Sequence, residues 1–293
     1  SLAFHAERLA ELLGRPVGFV ADVCGPEAIA RIKALRSGEL LLLDNVRYLT
    51  EEVSTFVNYV KLTPQEMACT WLVRSLAPLA DLFVCEAIAA AHRSTPSLVG
   101  LAEVLPAAGG RLFVDELNAL TRIKESPAQP CIYLLGGSRI ADAFSMMEQV
   151  LREGTAHRVL TSGLTGEVMH MALGRCLGEP TEGLIRDKGL EPFVARARSL
   201  LETYGDRILY PSDFAVDRGG CRVEISVEEL PAAELLADIG SETVARYVAE
   251  IEQAATIFVN GPAGIYEQPV STEGTRALWT AVADAPGYSV IGG

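Results

Sequence analysis

The chain has no apolar run of the roughly 20 residues that a helix needs to cross a bilayer; LLLL at Leu40 to Leu43 is among its longest. No membrane span is expected. Positive charge is also scarce, with 38 acidic residues against 25 Lys and Arg and a net charge of −13 over 293 residues. That sign excludes a broad non-specific grip on polyanions, so nucleic acid is not an expected partner. The six cysteines (Cys24, Cys69, Cys85, Cys131, Cys176 and Cys221) never form a CxxC pair, which points to reduced thiols in a cytoplasmic protein. The opening segment SLAFHAERLAELLG sets Glu7, Arg8 and Glu11 on a helical pattern and lacks the apolar core and cleavage site of a secretory leader. A helix is expected there.

Several catalytic signatures are missing as well. His5, His157 and His170 are dispersed, with no HExxH or paired metal spacing, so they read as surface or core residues and no metal site is expected. No GxSxG elbow supports Ser-His-Asp catalysis. Neither GxxxxGK[ST] nor GxGxxG occurs, which removes the main support for a Walker ATPase or a dinucleotide dehydrogenase.

What the chain does have is 49% apolar and 22% charged residues, enough for one large core or two modest ones. One pattern recurs: a short apolar run ends in Gly or a polar residue, and a helix-period segment follows. The runs lie near Val17, Leu40, Leu82, Ile132, Val159, Ile208 and Ile257, and in YSVIGG at the end. They predict an α/β fold of two Rossmann-like parallel-sheet domains, the eight runs making two sheets. The boundary falls in AAGGRLFVDELNALTRIKESPAQP, where Leu112, Leu117, Leu120 and Ile123 make one helical face. We therefore expect a first domain over 1–110, an interdomain hinge helix over 111–125 and a second domain over 126–293. Alternation from Cys221 to Val227 predicts a small antiparallel insertion.

In open parallel sheets ligands bind outside the carboxyl ends of the strands. Residues there include Asp44, Asn45 and Arg47; Glu86 and the later Arg93; Gly136, Gly137, Ser138 and Arg139; Asn260, Gly261 and Pro262; and Gly292 with Gly293. Glycines and cations at strand ends suggest phosphate handling. Ile140, Phe144, Met147 and Leu151 share a helical face, so Gly136 and Gly137 occupy a strand-to-helix turn. Its free N–H groups would receive an anion with Arg139 adding charge, or it is simply a tight turn beside a solvated Arg. The adjacent Met146 and Met147 read as helix packing. His92 and Arg93 belong either to a site or to a polar loop.

Taken in order, SLAFHAERLAELLGRPVGFV, LLLDNVRYLTEE, CEAIAAAHRSTPSLVG, LLGGSRIAD, LADIGSET, IFVNGPAGIYE with EGTRA, and SVIGG resemble phosphoglycerate kinase over essentially the whole chain. NGPAGIYE together with AHR and an LxNxRxxxEE segment is a specific combination. The short AAAHRSTPSLVG form resembles archaeal members. The resemblance implies an N-terminal domain for 3-phosphoglycerate, a C-terminal domain for ATP or ADP with Mg2+, hinge closure, and a cytoplasmic monomer.

Carried over by position, Arg47 and Arg93 match the arginines that hold the substrate phosphate. Gly137, Ser138 and Arg139 match the nucleotide-phosphate turn, with Arg139 as the catalytic cation. Gly240 matches a backbone contact to the nucleotide, Asn260 a phosphate-side residue, Glu267 the acid that receives the ribose hydroxyls, and Gly163 the adenine pocket. There are departures. Arg139 stands where the family usually has lysine, Ala143 where many members have a second one, and CEAI replaces an NDAF-type segment at Cys85 and Glu86. These keep open an alternative, a weakened or silent nucleotide-binding relative with a regulatory role. The chain also reads as a fragment without turnover of its own. It lacks a start, the first strands with their transition-state arginine, and the Gly-Asp-Thr-like loop whose Asp binds magnesium.

Overall fold

The structure, a computed structural model, describes residues 1–292. Gly293, named above as a strand-end residue, lies outside them. The chain divides into two compact units, Ser1–Asn118 and the remainder from Ala119.

All eight apolar runs are strands. In the second unit, five of them form one parallel sheet: β5 (Cys131–Leu135), β6 (Arg158–Thr161), β7 (Ile208–Leu209), β11 (Thr256–Asn260) and β12 (Tyr288–Gly292), in the order β12-β11-β5-β6-β7. Because side chains alternate along a strand, β5 feeds two cores. Cys131, Tyr133 and Leu135 pack into a layer with Phe144 and Met147 of helix Ile140–Arg152 and Val168 of helix Gly163–Ala172. Ile132 and Leu134 face the opposite layer with Tyr247 of helix Ser241–Glu252 and Leu278 of helix Glu273–Asp284. Burial on both faces explains why these strands read as unbroken apolar runs. The helical face predicted from Ile140 to Leu151 is fully buried, and Met147 packs within it.

The expected antiparallel insertion is present and larger than the alternation indicated. It comprises β8 (Asp213–Arg218), β9 (Cys221–Ser226) and β10 (Asp238–Ile239), in the order β10-β8-β9. Arg222 ties it down with ion pairs to Asp238 at 2.9 Å, Glu224 at 3.1 Å and Glu273 at 3.3 Å.

The first unit corrects the expectation of a single N-terminal sheet. Its strands make two separate parallel pairs, β1 (Gly18–Val20) with β2 (Leu41–Leu43) and β3 (Phe83–Cys85) with β4 (Ala107–Gly109). Each is three residues long and none is buried throughout, so each pairs with a single neighbour. β4 has the sequence AAG, with no β-branched or aromatic residue to signal a strand.

The predicted helix forms as Arg111–Glu125. Along its apolar face Leu112, Leu117 and Leu120 are exposed and only Ile123 is buried. The helix is held at its start instead. The Glu86 carboxylate accepts from the N–H groups of Leu112 at 3.1 Å and Phe113 at 3.2 Å, satisfying two of the donors a helix start leaves free. A side chain on Gly110 would collide with that carboxylate. All six cysteines are free, with Cys69, Cys176 and Cys221 exposed.

Candidate functional site

Within the five-stranded sheet, β6 and β7 lie on one side of β5 and β11 and β12 on the other. The chain therefore reverses direction of winding between β5 and β11, and such a reversal opens a crevice at the carboxyl ends of the two strands. The residues that leave those ends are Gly136–Gly137 and Asn260–Gly261–Pro262. The two turns are fastened together. The Gly136 N–H donates to the Asn260 carbonyl at 2.9 Å and the Gly137 N–H to the Pro262 carbonyl at 2.8 Å. A Cβ on Gly136 would strike the Pro262 carbonyl, and Gly137 has φ of 75°, so neither position suits a side chain.

This corrects the expectation that both glycine N–H groups are free for an anion. The donors without partners lie further along. Among the described residues, the N–H groups of Ser138, Arg139, Ile140 and Ala141 make no hydrogen bond, and no side chain caps helix Ile140–Arg152. The positive end of that helix thus faces outward, with the exposed Arg139 as its N-cap residue.

Beside this turn is a cavity of about 520 Å³, within the range of small-molecule sites. It brings together five of the residues singled out from the sequence: Gly137, Ser138, Gly163, Pro262 and Glu267. Gly163 has φ of 52°, and a Cβ there would come within 3.2 Å of the Gly137 nitrogen. Leu164, Leu184, Phe214, Leu236 and Ile239 supply an apolar wall. Arg139, Asn260 and Gly240 do not line the cavity. Asn260 is bound through its carbonyl as described. Gly240 precedes helix Ser241–Glu252, where the Asp213 carboxylate accepts from the N–H groups of Glu242 at 2.9 Å and Thr243 at 2.8 Å. That helix start is therefore already capped, and a side chain on Gly240 would run into Asp213.

The first unit holds Arg47 and Arg93 against one aromatic ring. Their guanidinium carbons lie 4.0 and 4.4 Å from the Phe56 ring centroid. Arg93 also donates to the Phe56 carbonyl at 2.9 Å and to His92 Nε2 at 3.0 Å. Neither arginine has a carboxylate partner among the described residues, so both charges remain available.

Sequence reasoning missed two residues. Phe56 carried no signal beyond being aromatic. Glu167 did carry one, as the lone acid in GLTGEVMHMA, and it proves to be 4% exposed and part of the cavity lining. Its Oε2 has no hydrogen-bond partner, and burial pushes the carboxyl up to about 8. No group of three His, Cys, Asp or Glu able to hold a metal occurs among the described residues, and no helix there is long and apolar enough to cross a membrane.

A family profile described as phosphoglycerate kinase matches residues 1–293. Phosphoglycerate kinases of Methanobacterium bryantii and Methanothermobacter thermautotrophicus are 41% identical over 293 residues, covering 100% of this chain and 70% of each relative. The solved structure of phosphoglycerate kinase from Pyrococcus horikoshii OT3 matches with a TM-score of 0.93 at 38% identity, covering 100% of this chain and 72% of that one. For the structure from Coxiella burnetii the values are 0.77 and 26%, with 100% and 70% covered.

Proposed function

This chain belongs to the phosphoglycerate kinase family, and from that premise we propose how its residues divide the work of transferring a phosphoryl group between ATP and the carboxylate of 3-phosphoglycerate. That reaction, a step of glycolysis, interconverts ATP and 3-phosphoglycerate with ADP and 1,3-bisphosphoglycerate. It asks little covalent chemistry of the protein; positioning and charge neutralisation do most of it.

In this reading the second unit takes the nucleotide with its Mg2+. Ser138 and the free N–H groups that follow it receive phosphate oxygens, Arg139 neutralises the moving phosphoryl group, Gly163 floors the base pocket and Glu267 takes the ribose hydroxyls. Gly240 and Asn260 act by shaping the turns around the cavity. In the first unit, Arg47 and Arg93 hold the phosphate of 3-phosphoglycerate, for which guanidinium forks suit bidentate contact. The helix Arg111–Glu125 is the hinge, separating a first domain over 1–110 from a second over 126–293, and the protein works as a cytoplasmic monomer.

The observation that carries the reading is the pair of turns bonded at the winding reversal, beside which uncapped helix donors and the cavity lie. A silent binding relative gains no support from relatives that are all named phosphoglycerate kinase. Calorimetry with ADP and with 3-phosphoglycerate tests the two assignments, and a coupled assay of 3-phosphoglycerate-dependent ADP release on a form extended to the relatives' full length tests the chemistry. Binding of neither ligand would overturn the residue assignments.

A further inference from the structure

Glu167 has no structural duty that its neighbours reveal. It neither caps a helix nor forms an ion pair, and neither carboxyl oxygen hydrogen-bonds to the described residues. Leaving a buried polar group unpaired forfeits its hydration with nothing in return, so an acid with no internal partner is unusual in a core helix. Its position gives the reason. Gly163 and Glu167 are four residues apart on helix Gly163–Ala172, so they share one face about 6 Å apart along the axis. Gly163 packs so near the phosphate turn that a Cβ on it would come within 3.2 Å of the Gly137 nitrogen, and Glu167, one helical turn further along, lines the same cavity as Leu164, Leu184, Phe214 and Leu236. Building on the nucleotide reading of this cavity, we propose that Glu167 is the residue that reads the nucleobase, its carboxyl meeting the exocyclic amino group and adjacent ring nitrogen of adenine.

The chemistry matches. With the carboxyl pushed up to about 8 by burial, Glu167 is mainly the neutral acid near pH 7. A neutral carboxyl offers one O–H donor and one C=O acceptor side by side. The adenine edge presents the complement, a ring nitrogen that accepts and an amino group that donates. The apolar wall covers the faces of the base, and a polar group at the end of an apolar slot fixes orientation and specificity.

The test compares the affinity of the full chain for ADP and for purine riboside 5′-diphosphate, which has the same ring without the amino group. Wild type, Glu167→Gln and Glu167→Leu are each titrated by calorimetry. Wild type is expected to prefer ADP by about tenfold, the equivalent of one net hydrogen bond. Gln, which also offers a donor beside an acceptor, keeps that preference, and Leu abolishes it. Thermal unfolding of each variant verifies folding. A Leu variant that still prefers ADP, or a wild type with no preference, overturns the inference and leaves the nucleotide site standing. A wild type that binds neither diphosphate overturns the nucleotide site and this inference with it. Lys188 lines the same cavity. If Glu167→Leu and Lys188→Met destabilise the protein non-additively while the ADP preference is unchanged, Glu167 is an ion-pair residue and the inference also fails.

Discussion

Arg47 and Arg93 stack on one ring, that of Phe56, with guanidinium carbons 4.0 and 4.4 Å from its centroid. The ring supports two cations, neither paired with a carboxylate among the described residues, and Arg93 spends part of its fork on the Phe56 carbonyl and His92; we read them as a pair that holds one phosphate. Arg93→Ala is expected to weaken 3-phosphoglycerate binding by about 1.5 to 3 kcal/mol, the range for hydrogen bonds to a charged group. Calorimetry on Arg47→Ala, Arg93→Ala and the double variant would measure this. Phe56→Leu should weaken binding while leaving both cations in place, because it removes their shared support. Unchanged affinity in Arg93→Ala would dismiss the assignment.

Arg139 stands exposed at the start of helix Ile140–Arg152, without a carboxylate partner among the described residues. Replacing it with Lys exchanges a broad planar cation for a compact one on a mobile stem. In a form extended to the relatives' full length, we expect Arg139→Lys to hold or raise kcat with little change in ADP affinity, and Arg139→Ala to lower kcat by at least about tenfold, the usual scale for removing a group that acts in the transition state. Steady-state kinetics with direct ADP titration separates the two effects. Equal kcat in Ala and Lys variants would remove Arg139 from the reaction.

Gly110 and Glu86 make a matched pair. Glu86→Ala removes the cap of helix Arg111–Glu125 and is expected to destabilise the first unit by about 1 kcal/mol. Gly110→Ala should cost more in the presence of Glu86 than in its absence, because the new methyl group meets that carboxylate. A double-mutant cycle by urea unfolding gives the coupling, and strict additivity would disprove the clash.

Two buried groups give opposite pH dependences. The Glu167 carboxyl is raised from 4.5 to about 8 by burial, so its contribution is fully present below pH 4.5 and is lost as pH rises toward 8. His170 is lowered from 6.5 to about 4, chiefly by burial, while its Nε2 lies 2.8 Å from the Pro211 carbonyl. Its contribution is present above pH 6.5 and is lost as pH falls toward 4. Each slope is at most about 1.4 kcal/mol per pH unit. Glu167→Gln should therefore flatten the decline between pH 5 and 8 in urea unfolding while leaving the acid limb. An unchanged alkaline decline would show that Glu167 is not the titrating group.

Much of this was legible because burial on both faces writes itself as unbroken apolar runs, as in Cys131–Leu135, and because a helix face such as Ile140 to Leu151 repeats every three or four residues. The turn after β5 was legible for its glycines, but the destination of their N–H groups was not. Whether Gly137 donates to an anion or to the Pro262 carbonyl depends on a residue 125 positions away (262 − 137). β4 was invisible because Ala-Ala-Gly has no strand signature, and the exposure of Leu117 could not be read from periodicity, which marks a face without naming its cover. The NGPAGIYE segment borders the cavity of the second unit, yet Phe56 under the two arginines of the first unit and Glu167 in the lining of that cavity belong to no motif.

The unpaired thiols have a practical consequence. Cys69 lies in the first unit and Cys176 and Cys221 in the second, all three open to solvent, so maleimide dyes would attach without any residue being engineered in. Removing the partly exposed Cys85 together with either Cys176 or Cys221 leaves one accessible sulfur per unit, a native donor–acceptor pair whose energy transfer would report directly on any hinge movement as substrates are added.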